Sequence, residues 1–141
     1  MKNLDQVNFI AIHCAGSRPD RYRMTIEDIR TMHLERGFSD IGYHYYIDSD
    51  GNVHDGRSEA FTGAHEPKIN SRSVSICLEG GYRGKLDYPA PQLASLRQLI
   101  KDLRVSYSSA VVVGHNTFRD DKTCPNFNVP LWWEEDRLEK V

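Results

Sequence analysis

The stretch Val111-Val112-Val113-Gly114-His115 constrains this chain more than any other. Three β-branched residues in a row specify a buried strand, and that strand ends on an imidazole. The same arrangement occurs near the start, where the apolar run Phe9-Ile10-Ala11-Ile12 ends on His13. The loop after His115 carries Lys122-Thr123-Cys124-Pro125. Two strand ends that each deliver a histidine, with a cysteine in the loop following one of them, predict a metal site with three protein ligands. The remaining chain reads as scaffold and substrate surface for it.

The pattern between these points gives the scaffold. Residues 8–14 form the first strand, with Phe9, Ala11 and His13 on one face and Ile10, Ile12 and Cys14 on the other. Cys14 therefore points away from His13. Breakers fill 15–24, and Thr25 opens a helix with Glu27 and Asp28 in its first turn, closed by Gly37. Ile29, Met32, His33 and Arg36 share a stripe, and His33 has no partner at metal spacing. Residues 42–47 read as an aromatic strand, with Tyr43 and Tyr45 on one face and His44 and Tyr46 on the other. Asp50-Gly51 is a hairpin turn that returns through Asn52-Val53-His54. A loop runs from Phe61 to Arg72, and Ser73–Leu78 is a strand whose Val74, Ile76 and Leu78 face the core, with Cys77 a small buried hydrophobe. A surface loop from Gly80 to Pro91 leads to a helix over Gln92–Arg104, striped by Leu93, Leu96, Leu99, Ile100 and Leu103. A last short helix starts near Pro130 and packs through Trp132 or Trp133. Strand, helix, hairpin, strand, helix, strand, helix predicts an α/β fold: a central mixed β-sheet flanked by α-helices. In such sheets sites form where strands end, and both histidines sit there.

Length and composition fix the class. A chain of 141 residues without repeat, tract or linker fits a single domain over 1–141. A net charge of −2 gives no pull toward nucleic acid or an anionic membrane. Arg18, Arg21 and Arg23 read as a solvated basic loop. Three cysteines, an odd count, favour the reduced state. No segment approaches bilayer-spanning length, and the start lacks a secretory pattern, so a cytoplasmic origin and a monomer are expected.

Two imidazoles and a thiolate suit zinc. Structural zinc sites use paired short spacings such as C-x₂-C, which this chain lacks. Three ligands from distant segments instead match a catalytic site whose fourth position is open to water, and the chemistry that follows is hydrolysis of an amide or ester. Lys122, two residues before Cys124, is placed to stabilise an oxyanion, and Tyr43 to position the water or the scissile carbonyl. A rival reading makes Cys124 a nucleophile with His115 as its base, which leaves His13 without a role. Both histidines and the Cys-Pro pair also admit a purely structural explanation.

These residues resemble the zinc-dependent N-acetylmuramoyl-L-alanine amidases of the phage-lysozyme type, relatives of the peptidoglycan recognition proteins. The resemblance rests on Ile12-His13-Cys14, Gly42-Tyr43-His44-Tyr45, Asp50-Gly51 through Gly56-Arg57, Gly63-Ala64-His65, and Asn70-Ser71 to Leu78. It continues through the leucine-striped helix, His115, Lys122-Thr123-Cys124-Pro125 and Trp132-Trp133, covering roughly residues 9–134. It implies one Zn²⁺ per chain on His13, His115 and Cys124, with Tyr43 and Lys122 as the catalytic-support positions. The implied reaction cleaves the amide between N-acetylmuramic acid and the L-alanine of the stem peptide in bacterial peptidoglycan, as an endolysin or cell-wall lytic enzyme. The loops holding His65 and Asn70 would border the groove as substrate-binding positions. Relatives that bind peptidoglycan without cleaving it lack the cysteine, so Cys124 favours hydrolysis over a non-catalytic binding or regulatory module. An enzyme made in the cytoplasm would need another factor to release or export it to the wall.

Overall fold

The computed structural model describes residues 1–141. Its centre is a pair of parallel strands, β1 (Phe9–Cys14) and β4 (Ser73–Leu78), buried on both faces and matched from Phe9 opposite Ser73 to Cys14 opposite Leu78. β5 (Val111–Gly114) lies parallel on the other side of β1, and β2 (Tyr45–Ile47) lies parallel on the other side of β4. β3 (Val53–Asp55) pairs antiparallel with β2, giving the order β3-β2-β4-β1-β5. This is the expected mixed sheet. No helix is long and apolar enough to cross a membrane.

Period-two alternation divides the side chains between the faces as the sequence predicts. Ile10 and Ile12 meet Val74, Ile76, Leu78, Val112 and the helices α2 (Ala90–Ser106) and α3 (Val129–Glu135) in the main apolar core. α2 contributes Leu96, Ile100 and Leu103, and α3 contributes Val129 and Trp132. The opposite face carries Ala11, packed with Ile69 and Val113, and Cys77, packed with Ile29 of α1 (Ile26–Glu35) and Tyr46. Thr25 caps α1 as predicted: its Oγ1 accepts from the Asp28 amide at 3.1 Å, and Asp28 Oδ2 accepts the Thr25 amide at 2.9 Å.

Three expectations need correcting. The strand expected over 42–47 begins only at Tyr45. Gly42 runs so close to Ala64 that a Cβ would fall 2.1 Å from the Ala64 carbonyl oxygen, and Gly42 O accepts the Ala64 amide instead of joining the ladder. The backbone therefore turns before β2, and Tyr43 packs with Tyr46 and Ile41 rather than sharing a face with Tyr45. Second, α2 starts at Ala90 and runs to Ser106, longer at both ends than its leucine stripe. Gln92 is buried there and donates to the carbonyls of Ile47 at 3.0 Å and Glu79 at 2.9 Å. Third, Arg23 is not simply solvated. It donates twice to the buried Glu79 carboxylate at 3.1 Å, the pairing that a buried charge requires.

Candidate metal centre

Parallel pairing explains why the two histidines meet. Ile12 of β1 lies opposite Gly114 of β5, so the next residues, His13 and His115, emerge side by side with ring centroids 4.5 Å apart. His13 is fully buried and His115 partly so. The Cys124 loop is tied to the same end of the sheet. The Asn116 amide donates to Cys124 O at 2.9 Å, and Asn116 Nδ2 donates to Thr123 O at 3.0 Å and Phe127 O at 3.1 Å. Tyr88 donates to Pro125 O at 2.9 Å. Asn126, at φ 76°, donates to Gly81 O at 3.0 Å and Lys85 O at 2.8 Å; asparagine accepts this left-handed conformation more readily than most residues. The Cys14 amide donates to Cys124 Sγ at 2.9 Å, which fixes the sulfur directly.

One donor atom from each of His13, His115 and Cys124 lies within 4.8 Å of the other two. An ion with tetrahedral bonds of about 2.0–2.3 Å needs donors about 3.3–3.6 Å apart, so small side-chain adjustments suffice. The donor set passes a second test, which is protonation. Burial, with His65 and His115 beside it, holds His13 well below the ordinary imidazole range. Burial also lowers His115, against its Glu66 contact, with Lys122 and Arg119 adding to the effect. Neutral imidazoles are what a divalent ion requires. The contact with Cys14 and burial push the Cys124 thiol up, while Cys14 is drawn down to about 7, chiefly by Cys124. A coordinating thiol is deprotonated by the ion itself.

Each histidine has a partner behind it. His13 Nε2 is 2.8 Å from His65 Nδ1, and His65 Nε2 is 2.9 Å from Ser73 Oγ. His115 Nε2 is 3.2 Å from Glu66 Oε1, an oxygen that also accepts from Arg119 at 3.3 Å. Asn70 Oδ1 accepts the amides of both His65 at 2.9 Å and Glu66 at 2.8 Å. Burial, mainly, pulls His65 down to about 3.

The other expected site residues are distributed around this centre. The Tyr43 ring lies 5.2 Å from the His13 ring, and burial keeps its phenol protonated. Lys122 is exposed on the Cys124 loop, and its charge acts on His115. A cleft of about 370 Å³ next to Tyr43 is lined by His65 and Asn70 together with His33, Arg36, Phe38 and Pro67. His33 is more deeply buried than a surface histidine, and its Nδ1 accepts the Gly42 amide at 2.8 Å. Sequence reading missed Glu66, Ser73, Asn116 and Asn126. Glu66 left one signal, as the sole acid between Phe61 and Arg72. The asparagines left none, because their partners are distant loop carbonyls.

A family model described as N-acetylmuramoyl-L-alanine amidase matches residues 3–127. The endolysin of Escherichia phage T7 is 36% identical over 141 residues, covering 97% of this chain and 92% of that protein. Among solved structures, the N-acetylmuramoyl-L-alanine amidase LysC from Clostridium intestinale superposes with a TM-score of 0.78 at 32% identity, covering 89% of this chain and 80% of that one. Bumblebee PGRP-SA shares the fold, with a TM-score of 0.80 at 24% identity over 96% of this chain and 85% of its own.

Proposed function

The chain belongs to the N-acetylmuramoyl-L-alanine amidase family, and we propose that it hydrolyses peptidoglycan as one catalytic unit spanning 1–141, using a single Zn²⁺ held by His13, His115 and Cys124. The bond cut is the amide joining N-acetylmuramic acid to the L-alanine of the stem peptide. Family membership supports the reaction, and the observation that carries the site assignment is the convergence of two imidazoles and one thiol from three distant segments. When bound, zinc would supply Lewis acidity at the scissile carbonyl and bring the pKa of water down to about 7.

The chain's own residues do the rest. His13 and His115 stay neutral because they are buried, and the Cys14 amide holds the sulfur in place. Lys122 brings a cation to the rim, where it stabilises the oxyanion that develops on the attacked carbonyl. Tyr43, kept protonated, offers an O–H to orient the attacking water or that carbonyl. The cleft beside Tyr43 takes the peptide side of the substrate, bordered by His65 and Asn70. Asn70 Oδ1 is committed to two backbone amides, which leaves its Nδ2 for the groove. Action at the wall is in keeping with the endolysins among its relatives.

Digestion of purified sacculi tests the reaction. New L-alanine amino termini should appear without new reducing sugar ends, activity should stop with a chelator, and zinc should restore it. New reducing ends would mark a glycosidase and end this reading.

A further inference from the structure

The hydrogen bonds behind the two histidines have only one consistent direction, and it can be read from the far end. The Ile69 carbonyl can only accept, so the Ser73 hydroxyl donates to it, at 2.7 Å. That uses the one hydroxyl proton Ser73 has. At its 2.9 Å contact with His65 Nε2, Ser73 Oγ must therefore accept, and Nε2 of His65 carries the proton. A neutral ring has one bare nitrogen, so His65 Nδ1 is an acceptor, and the proton in the 2.8 Å contact with His13 belongs to His13 Nε2. His13 is then left with a lone pair on Nδ1. His115 reaches the same state by a shorter route: its Nε2 faces a Glu66 carboxylate oxygen that can only accept.

We propose that His65 and Glu66 are positioning residues that fix both imidazoles in the Nε2–H tautomer and so present Nδ1 of His13 and of His115 to the metal. His65 acts through the relay to Ser73 and Ile69, and Glu66 acts directly. Both are set by one device, since Asn70 Oδ1 holds their consecutive amides and keeps the two side chains diverging toward different rings. Partners behind a ligating imidazole commonly set its tautomer and strengthen it as a donor. Here a single loop serves two ligands, with a neutral acceptor behind the more buried ring and an anionic one behind the more exposed ring. The inference rests on the metal-centre reading for its purpose, but the tautomers themselves can be measured without any metal.

Long-range proton–nitrogen correlation spectra of the metal-free protein, labelled with ¹⁵N-histidine, should show Nε2 protonated and Nδ1 bare for His13, His65 and His115. A proton on Nδ1 of His13 overturns the proposal. Zinc affinity, measured by competition with a chromophoric chelator, should then fall roughly 10–100-fold in His65→Leu. It should return most of the way in His65→Gln, which keeps one acceptor and one donor. A folded His65→Leu that binds zinc as tightly as the parent refutes the role. If that variant does not fold, Ser73→Ala removes the far end of the relay, and a mixed His13 tautomer is expected; an unchanged one refutes the relay. A parent protein that binds no zinc while showing the stated tautomers would sink the metal reading, and with it the purpose proposed here, and leave only the tautomer assignment standing.

Discussion

On one face of the sheet, Ile10 and Ile12 of β1 join an apolar cluster of 15 buried residues; on the other, Ala11 of the same strand sits in a cluster of three, a second cluster holds four, and His13, His44, Ser73 and Ser75 are buried polar side chains. The first face is held by area removed from water, and its residues are interchangeable within limits of volume. The second is held by directed bonds. Ser73 donates to Ile69 O, His44 Nδ1 accepts the Ser75 amide at 3.1 Å, and Arg57, itself buried, donates to the carbonyls of Ile41, Thr62 and Asp40. A polar group buried without such a partner costs about 1–3 kcal/mol, so this face has little freedom to vary. The lesson is a division of labour. The α2–α3 face stabilises the sheet, and the α1 face uses that stability to keep polar groups out of water and in register for chemistry.

That division predicts opposite phenotypes. Cys124→Ser should have the largest effect: stoichiometric zinc binding and amide hydrolysis are both lost, while the unfolding free energy of the metal-free protein moves by less than about 1 kcal/mol. Metal analysis beside urea denaturation checks both halves. Ile76→Ala on the apolar face should do the reverse, costing about 2–5 kcal/mol in the same denaturation while the folded fraction still takes up one zinc. Loss of zinc from folded Ile76→Ala would show that the faces are not separable. Lys122→Ala sharpens the comparison within the site. Its side chain is exposed, so stability should stay within about 0.5 kcal/mol and zinc should remain, but turnover should fall by about 100-fold. An unchanged rate would remove Lys122 from the chemistry.

The smallest effect belongs to the turn of the β2–β3 hairpin. Asp48 Oδ1 accepts the amides of Asp50 and Asn52 at 3.0 Å, and its Oδ2 accepts from His54 at 2.9 Å. Burial raises its pKa, but these bonds outweigh burial and leave the carboxyl below its ordinary value. A lowered folded pKa means that this stabilisation is complete above the unfolded value of about 3.9 and fades as pH falls below it. Asp48→Asn should therefore show a shallower decline of the urea midpoint between about pH 4 and pH 2 than the parent. Identical slopes would mean that the turn adds nothing at acid pH.

Legibility followed the same line between the faces. The apolar face could be read from spacing alone, because Ile10, Ile12, Val74, Ile76, Leu78 and the stripe of α2 repeat at the periods that burial imposes. The convergence of His13, His115 and Cys124 was legible as chemistry, since the two histidines close apolar runs and Cys124 sits in the loop between neighbouring elements. Tyr43 was misplaced because the approach of Gly42 to Ala64 is a long-range event that no local pattern reports. Asn116, Asn126, Glu66 and Ser73 stayed hidden for the same reason. Each acts on a group far away in sequence or on a loop carbonyl, and hydrogen-bond partners carry no period.

The central claim is that three side chains hold one zinc ion and leave a position open. X-ray absorption at the zinc edge of the metal-loaded protein measures it directly. The account predicts two nitrogen scatterers at about 2.0–2.1 Å, one sulfur at about 2.3 Å and one further light atom. A shell with no sulfur, or one filled by four protein ligands, would contradict it.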